Sequence, residues 1–343
     1  ASYRILRGTL VVGQTTETSY TDSLLWPSTT YTYEVDALSA AGAKLTAFTG
    51  RGMTTALPAG GFQRPFAAGS VWNTPVGSTP VASSSSAQVS FLLAHMPNPN
   101  MTLRDWGVSV SEIHPSDSTY SVPCTRYSNC TLGAFGGFQI PKTAAPDPSA
   151  DGYLAVVDPS RQREWDMWQA STSGSSWSAS AGAALSTEGN AVAPSGTASG
   201  DAANFPLLAG IVRPEEIAQG HIDHALVFGM PGVSDLGHVC PATHNDGSSS
   251  DPNALMEGTR LQLDPSVNVA ALPIPAWEKT IARAMQTYGM YLRDNGGSFV
   301  IYAENPVSRG YDAWAKAGMP RGDSVGLSGI PWSKLRVITP TSC

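Results

Sequence analysis

The stretch Arg163-Glu-Trp-Asp-Met-Trp-Gln169 alternates charged and bulky apolar residues. In a β-strand successive side chains point to opposite faces. Glu164, Asp166 and Trp168 then share one face, and Trp165 and Met167 the other. Outward from this stretch, strand patterns recur at 106–113, 135–140, 153–157, 221–228, 260–263, 299–302 and 335–338. Residues 171–204 are rich in Ser, Gly, Ala and Thr and are expected to form long loops.

Composition points the same way. Only 14% of the 343 residues are charged, while 34 are Gly and 26 Pro, which suits a turn-rich β protein. At 41% hydrophobic the chain can bury a sizeable core, and its length allows about two domains. No run approaches ~18 apolar residues, so no membrane insertion is expected. No signal peptide precedes Ala1, and the chain is expected to be mature or trimmed. A net charge of −7 with scattered basic residues argues against a nucleic-acid partner.

The four cysteines allow three pairings. Cys124 and Cys130 fit a small loop staple, which leaves Cys240 to tie back Cys343. No Cys-x2-Cys occurs, and no metal site is expected, although a structural calcium is compatible with such a domain. Disulfides imply an oxidising, extracellular compartment.

A helix is expected over 276–294, where Trp277, Ile281, Met285, Tyr288 and Leu292 recur at helical spacing and Asn295-Gly-Gly297 follows as a stop. Ser83 to Ser86 can cap a short helix carrying Val89, Leu92, Leu93 and Met96. Arg213-Pro-Glu-Glu-Ile-Ala-Gln219 reads as a single helical turn with Pro at its first position and acids at its positive end.

Three stretches carry candidate chemistry. On the Arg163–Gln169 strand, two carboxylates about 7 Å apart beside Trp168 suit a sugar cleft: the indole stacks on a pyranose and the carboxylates serve acid/base or nucleophilic roles. A solvent-facing polar strand beside a core Trp would look the same. In Gly220-His-Ile-Asp-His-Ala-Leu-Val-Phe228, read as a strand, His221 and Asp223 share a face while His224 joins Ile222 and Leu226. His224 is then a core histidine or a cleft base. His244 and Asp246, in Cys240-Pro-Ala-Thr-His-Asn-Asp-Gly247, are substrate-binding residues on a stapled loop, or ordinary turn residues. A serine triad from Ser199, His224 and Asp223 lacks the Gly-x-Ser-x-Gly elbow.

Residues 1–48 resemble the second half of a fibronectin type III module. The resemblance rests on Tyr31-Thr-Tyr-Glu-Val-Asp-Ala37, the preceding Leu25-Trp-Pro-Ser-Thr-Thr and the closing Ser39-Ala-Ala-Gly42; the family's first two strands are absent from the front. A linker over 49–61 would then lead to a main domain over 62–343. The Glu164–Gln169 strand resembles the Glu-x-Asp-x-x-Glu strand of laminarinase-type jelly-roll glycoside hydrolases. Glu164 and Asp166 match its first two positions, but Gln169 stands where that family has its acid/base.

These readings imply a secreted, mainly β, polysaccharide-degrading hydrolase of β-sandwich or jelly-roll type with one packed amphipathic helix. Glu164, Asp166, His224 and Asp223 would be catalytic, and Trp168, His221, His244 and Asp246 would bind a polysaccharide or cell-wall glycan. A polysaccharide lyase on the same fold would instead use His224 or a Tyr as base, with an Arg or Gln neutralising a uronate. A non-catalytic glycan-binding protein would need no carboxylate pair.

Overall fold

A computed structural model describes residues 2–8, 10–20, 30–53, 65–114, 116–158 and 162–340. The fold is mainly β, with several sheets and few helices, in keeping with a β-sandwich.

At the front, Ser2–Arg7, Leu10–Thr15, Thr30–Leu38 and Lys44–Met53 form one antiparallel sheet in which Ser2–Arg7 lies between Leu10–Thr15 and Thr30–Leu38. The alternation of Tyr31 to Ala37 is thus realised as a strand. The last strand runs past residue 48 into the expected linker, whose remainder, 54–61, lies outside the described residues. Asp36 is fully buried and is held below its usual range, chiefly by Lys44, with Arg4 adding a second cation against the cost of burial.

Two mixed sheets build the rest. The first orders Ala181–Ser186, Arg163–Trp168, Leu154–Asp158, Val108–Glu112 and Glu304–Asn305. The second orders Ser324–Gly326, Asn100–Thr102, Val300–Ile301, Leu226–Met230, Met290–Asn295, Arg260–Leu263 and Leu335–Val337. Parallel pairs occur in both, such as Val108–Glu112 with Leu154–Asp158 and Leu226–Met230 with Met290–Asn295. An antiparallel jelly roll would not contain them.

The sheets face each other across residues 203–211. Phe205, Leu207 and Leu208 pack there with Val108 and Ala155 of one sheet and Val227 and Tyr291 of the other. Trp72 meets Phe205 and Tyr291 edge-on at 4.8 and 5.4 Å between ring centroids. Trp165 and Met167 bury on the outer side of the first sheet, where Trp165 stacks on Phe138. The outer side of the second sheet is covered by helices Ser85–Ala94 and Ala276–Thr287.

Several expectations change. Ser85–Ala94, Pro214–Gln219 and Ala276–Thr287 are α-helices where helical segments are expected, and Ala313–Lys316 is a fourth that the sequence reading does not anticipate. Residues 171–204 are not all loop, because Ser171–Ser173, Ser176–Ser178 and Ala181–Ser186 are strands. The 276–294 helix stops at Thr287. Gly289 then adopts φ +70°, and a Cβ there would sit 2.4 Å from the Leu261 carbonyl oxygen, so the chain can turn tightly only without a side chain. Residues Met290–Asn295 leave as a strand, paired on one side with Leu226–Met230 and on the other with Arg260–Leu263. Burial between two strands outweighs the helical period that Leu292 continues.

The disulfide Cys124–Cys130 is formed as expected. The Cys240–Cys343 pairing ends on a residue outside the described ones. No helix among the described residues is long and apolar enough to cross a membrane.

Candidate functional site

Glu164 and Asp166 are fully buried and point into the layer between the sheets. Glu164 Oε1 accepts the Leu208 N–H at 2.7 Å and Asp166 Oδ2 the Leu207 N–H at 2.8 Å. The expectation that they line a groove is therefore corrected: they anchor the backbone at Leu207 and Leu208, whose amides would otherwise be buried without acceptors. Glu164 Oε2 and Asp166 Oδ1 have no hydrogen-bond partner among the described residues. Burial raises both acids, and each carboxyl acts on the other.

His224 and Asp223 do not stand across from them. Residues 221–224 precede the strand Leu226–Met230 instead of belonging to it. His221 Nδ1 and Asp223 Oδ2 lie 3.0 Å apart on the solvent side. His224 is buried, with Nε2 2.8 Å from Glu216 and Nδ1 2.9 Å from the Ala225 carbonyl oxygen. Burial opposes its charge, but Glu216 outweighs that and raises its pKa. It borders a buried network in which Arg213 and Arg309 both pair with Glu304, and Arg309 also with Glu215. The two arginines overcome burial and hold Glu304 below its usual range. The network joins helix Pro214–Gln219 to the Glu304–Asn305 strand and is structural.

The open cleft lies elsewhere, and it does contain Trp168, His244 and Asp246. Its volume is about 490 Å3, and Asp151, Tyr153, Asp201 and Asp294 complete its chemically active lining. The side chains arrive from four directions. Trp168 ends the first sheet's Arg163–Trp168 strand, and its indole N–H donates to Asp151 Oδ1 at 3.1 Å. Asp201 follows the close-packed Ser199-Gly200, where a Cβ on Gly200 would lie 3.0 Å from the Asp166 Cβ. His244 Nδ1 is tied to the Ala202 carbonyl oxygen at 2.7 Å, and Asp246 Oδ1 accepts from the Asn295 amide at 3.3 Å. Asp294 comes from Met290–Asn295.

A β-bulge aims that last strand. Phe228 pairs with Leu292 and Gly229 with Asp294, so Arg293 is the extra residue. Arg293 is fully buried, its Nε donates to Asp201 Oδ2 at 2.5 Å, and its guanidinium carbon lies 4.7 Å from the Tyr302 ring centroid. Asn204, which lines the cleft, has left-handed backbone at φ 64°, and so does Gln169, φ 51°, the residue after Trp168. Such strain persists only where the surroundings over-determine it, and it clusters at functional sites.

The electrostatics separate these acids. Asp294 is pushed up to about 7 by burial, with Asp246 and Asp201 adding like charge against the hydrogen bond from Tyr302. Burial also raises Asp201, against the pull of Arg293. The fully buried Glu257 is raised to about 11, chiefly by burial and then by the neighbouring Asp246 carboxyl. No group of three or more His, Cys, Asp or Glu able to hold a metal ion occurs among the described residues.

Asp151, Tyr153, Asp201 and Asp294 lie outside the set of site residues expected from sequence. The helical period over 276–294 conceals Asp294, and no motif marks the other three. No protein-family model, curated protein or solved structure matches the chain.

Proposed function

We propose that this chain is a secreted glycoside hydrolase that holds a polysaccharide in the cleft beside Trp168, with Asp294 as proton donor and Asp246 as the partner carboxylate. The observation that carries the reading is Asp294, a cleft-lining acid at about 7. An acid with a pKa near the working pH is both protonated and able to give its proton up, which general-acid cleavage of a glycosidic bond needs. Asp246, exposed in the same cleft, is the partner carboxyl group that would attack the sugar or activate water. Trp168, half-buried and oriented by Asp151, adds an apolar indole to the cleft wall beside which a pyranose ring can pack. The Cys124–Cys130 disulfide supports an oxidising compartment. A lyase is less well served, because no Lys or Arg lines the cleft to neutralise a uronate.

The test is release of reducing ends from a panel of plant, fungal and bacterial wall glycans by the full chain and by Asp294→Asn. Cleavage of at least one glycan is expected, with the variant slower by about 10²–10⁴-fold at an unchanged melting temperature. The hydrolase reading is overturned if nothing on the panel is cleaved, if the variant keeps its rate, or if the new ends absorb in the ultraviolet as a lyase's unsaturated products do.

A further inference from the structure

The side chains that line the cleft include four acids. Asp151, Asp201, Asp246 and Asp294 line it, whereas no lysine or arginine does. Arg293 lies buried behind Asp201, and Arg126, at the rim, is engaged over the rings of Tyr127 and Trp168 at 5.3 and 5.5 Å. The acids do not converge as three ligands on one point among the described residues, so the negative charge is spread along the cleft.

Tyr153 supplies an independent sign of a ligand. It is 4% exposed and lines the cleft, and its hydroxyl makes no hydrogen bond among the described residues. Burial in the field of Asp294 and Asp151 keeps the phenol protonated, so it stands as an unused donor beside the Trp168 face.

We infer that the cleft selects a glycan bearing protonated amines, a glucosamine-type chain in preference to a neutral, N-acetylated or uronate one. Trp168 packs beside the sugar chain, Tyr153 donates to a ring or hydroxyl oxygen, and Asp151 and Asp246 meet ammonium groups on successive units. A uronate brings like charge against these walls and is repelled, while an N-acetyl group removes the charge and adds bulk. Like-charge crowding helps hold Asp294 and Asp201 above the usual carboxylate range, and a bound cation relieves it. The inference rests on the cleft being the glycan site proposed above.

Calorimetric titration of the full chain with four probes tests it: a glucosamine hexamer kept below its amine pKa, the fully N-acetylated hexamer, a hexauronate and calcium chloride. The free-amine hexamer is expected to bind about tenfold or more tighter than the N-acetylated one, with affinity falling as salt rises. Asp246→Asn and Asp151→Asn, each checked for an unchanged melt, are both expected to erode the preference. Equal binding of the two hexamers, tightest binding of the uronate, or binding of calcium alone would each overturn the inference. Asp294-dependent cleavage of neutral glycans without an amine preference sinks the inference and leaves the hydrolase reading standing. Amine-selective binding with no cleavage of any glycan does the reverse.

Discussion

Tyr302 donates its hydroxyl to Asp294 Oδ2 across 2.5 Å. The bond favours the carboxylate and works against burial, the larger influence, which favours the acid. Tyr302 itself is held protonated by its own burial and by the Asp294 charge, so it remains a donor.

Removing that donor moves the proton. In Tyr302→Phe the Asp294 carboxylate loses its stabilising bond, so its pKa rises above about 7. A general acid works only while protonated, so activity is lost as pH climbs through this pKa. The alkaline limb of the pH–rate profile is therefore expected at higher pH in the variant. A limb that stays put or moves down would remove Asp294 from the acid role.

The Glu164–Asp166 pair makes a different pH prediction. Both acids are raised in the folded chain, so folding takes up protons and the pair's contribution is fully present only below the ordinary carboxylate range. It is lost as pH rises through the raised values. Thermal melts are expected to show falling stability on the alkaline side. Glu164→Gln, whose amide donates to Asp166, is expected to flatten that fall and to leave turnover unchanged. Loss of turnover in a folded Glu164→Gln protein would return the pair to the active site.

Helix Ala276–Thr287 lies on the Arg260–Leu263 strand, with Ile281 and Met285 wholly buried beside Leu261 and Met290. Ile281→Ala or Met285→Ala is expected to cost about 2–5 kcal/mol in denaturant unfolding. Tyr288, only half-buried at the helix end, is expected to cost less when truncated.

The Cys124–Cys130 bridge closes a short loop that carries Tyr127 and Asn129 to the cleft rim. Replacing both cysteines by serine is expected to cost about 2 kcal/mol, the chain-entropy contribution of so small a ring. Glycan affinity is expected to fall with it, measured on the folded variant, because the rim residues lose their mount.

The sequence by itself determined the local elements whose pattern is carried by neighbours along the chain. The alternation at 31–37 and 163–168, the proline-led turn at 214–219, and the Cys124–Cys130 staple were all legible, because each depends on side-chain periodicity or short spacing. It also picked out Trp168, His244 and Asp246, which meet in one cleft although nearly 80 positions separate the first from the last. Only the tertiary structure decided which acids see solvent. Glu164 and Asp166 have a stronger motif than Asp294, yet residues 205–208 cover them, and that covering is a contact between segments some 40 positions apart. Asp294 reaches the cleft because Met290–Asn295 pairs with two strands distant in sequence and bulges at Arg293. Periodicity within residues 276–294 favoured helix, and no local signal could weigh it against hydrogen bonds and burial supplied by strands 30 to 65 positions away.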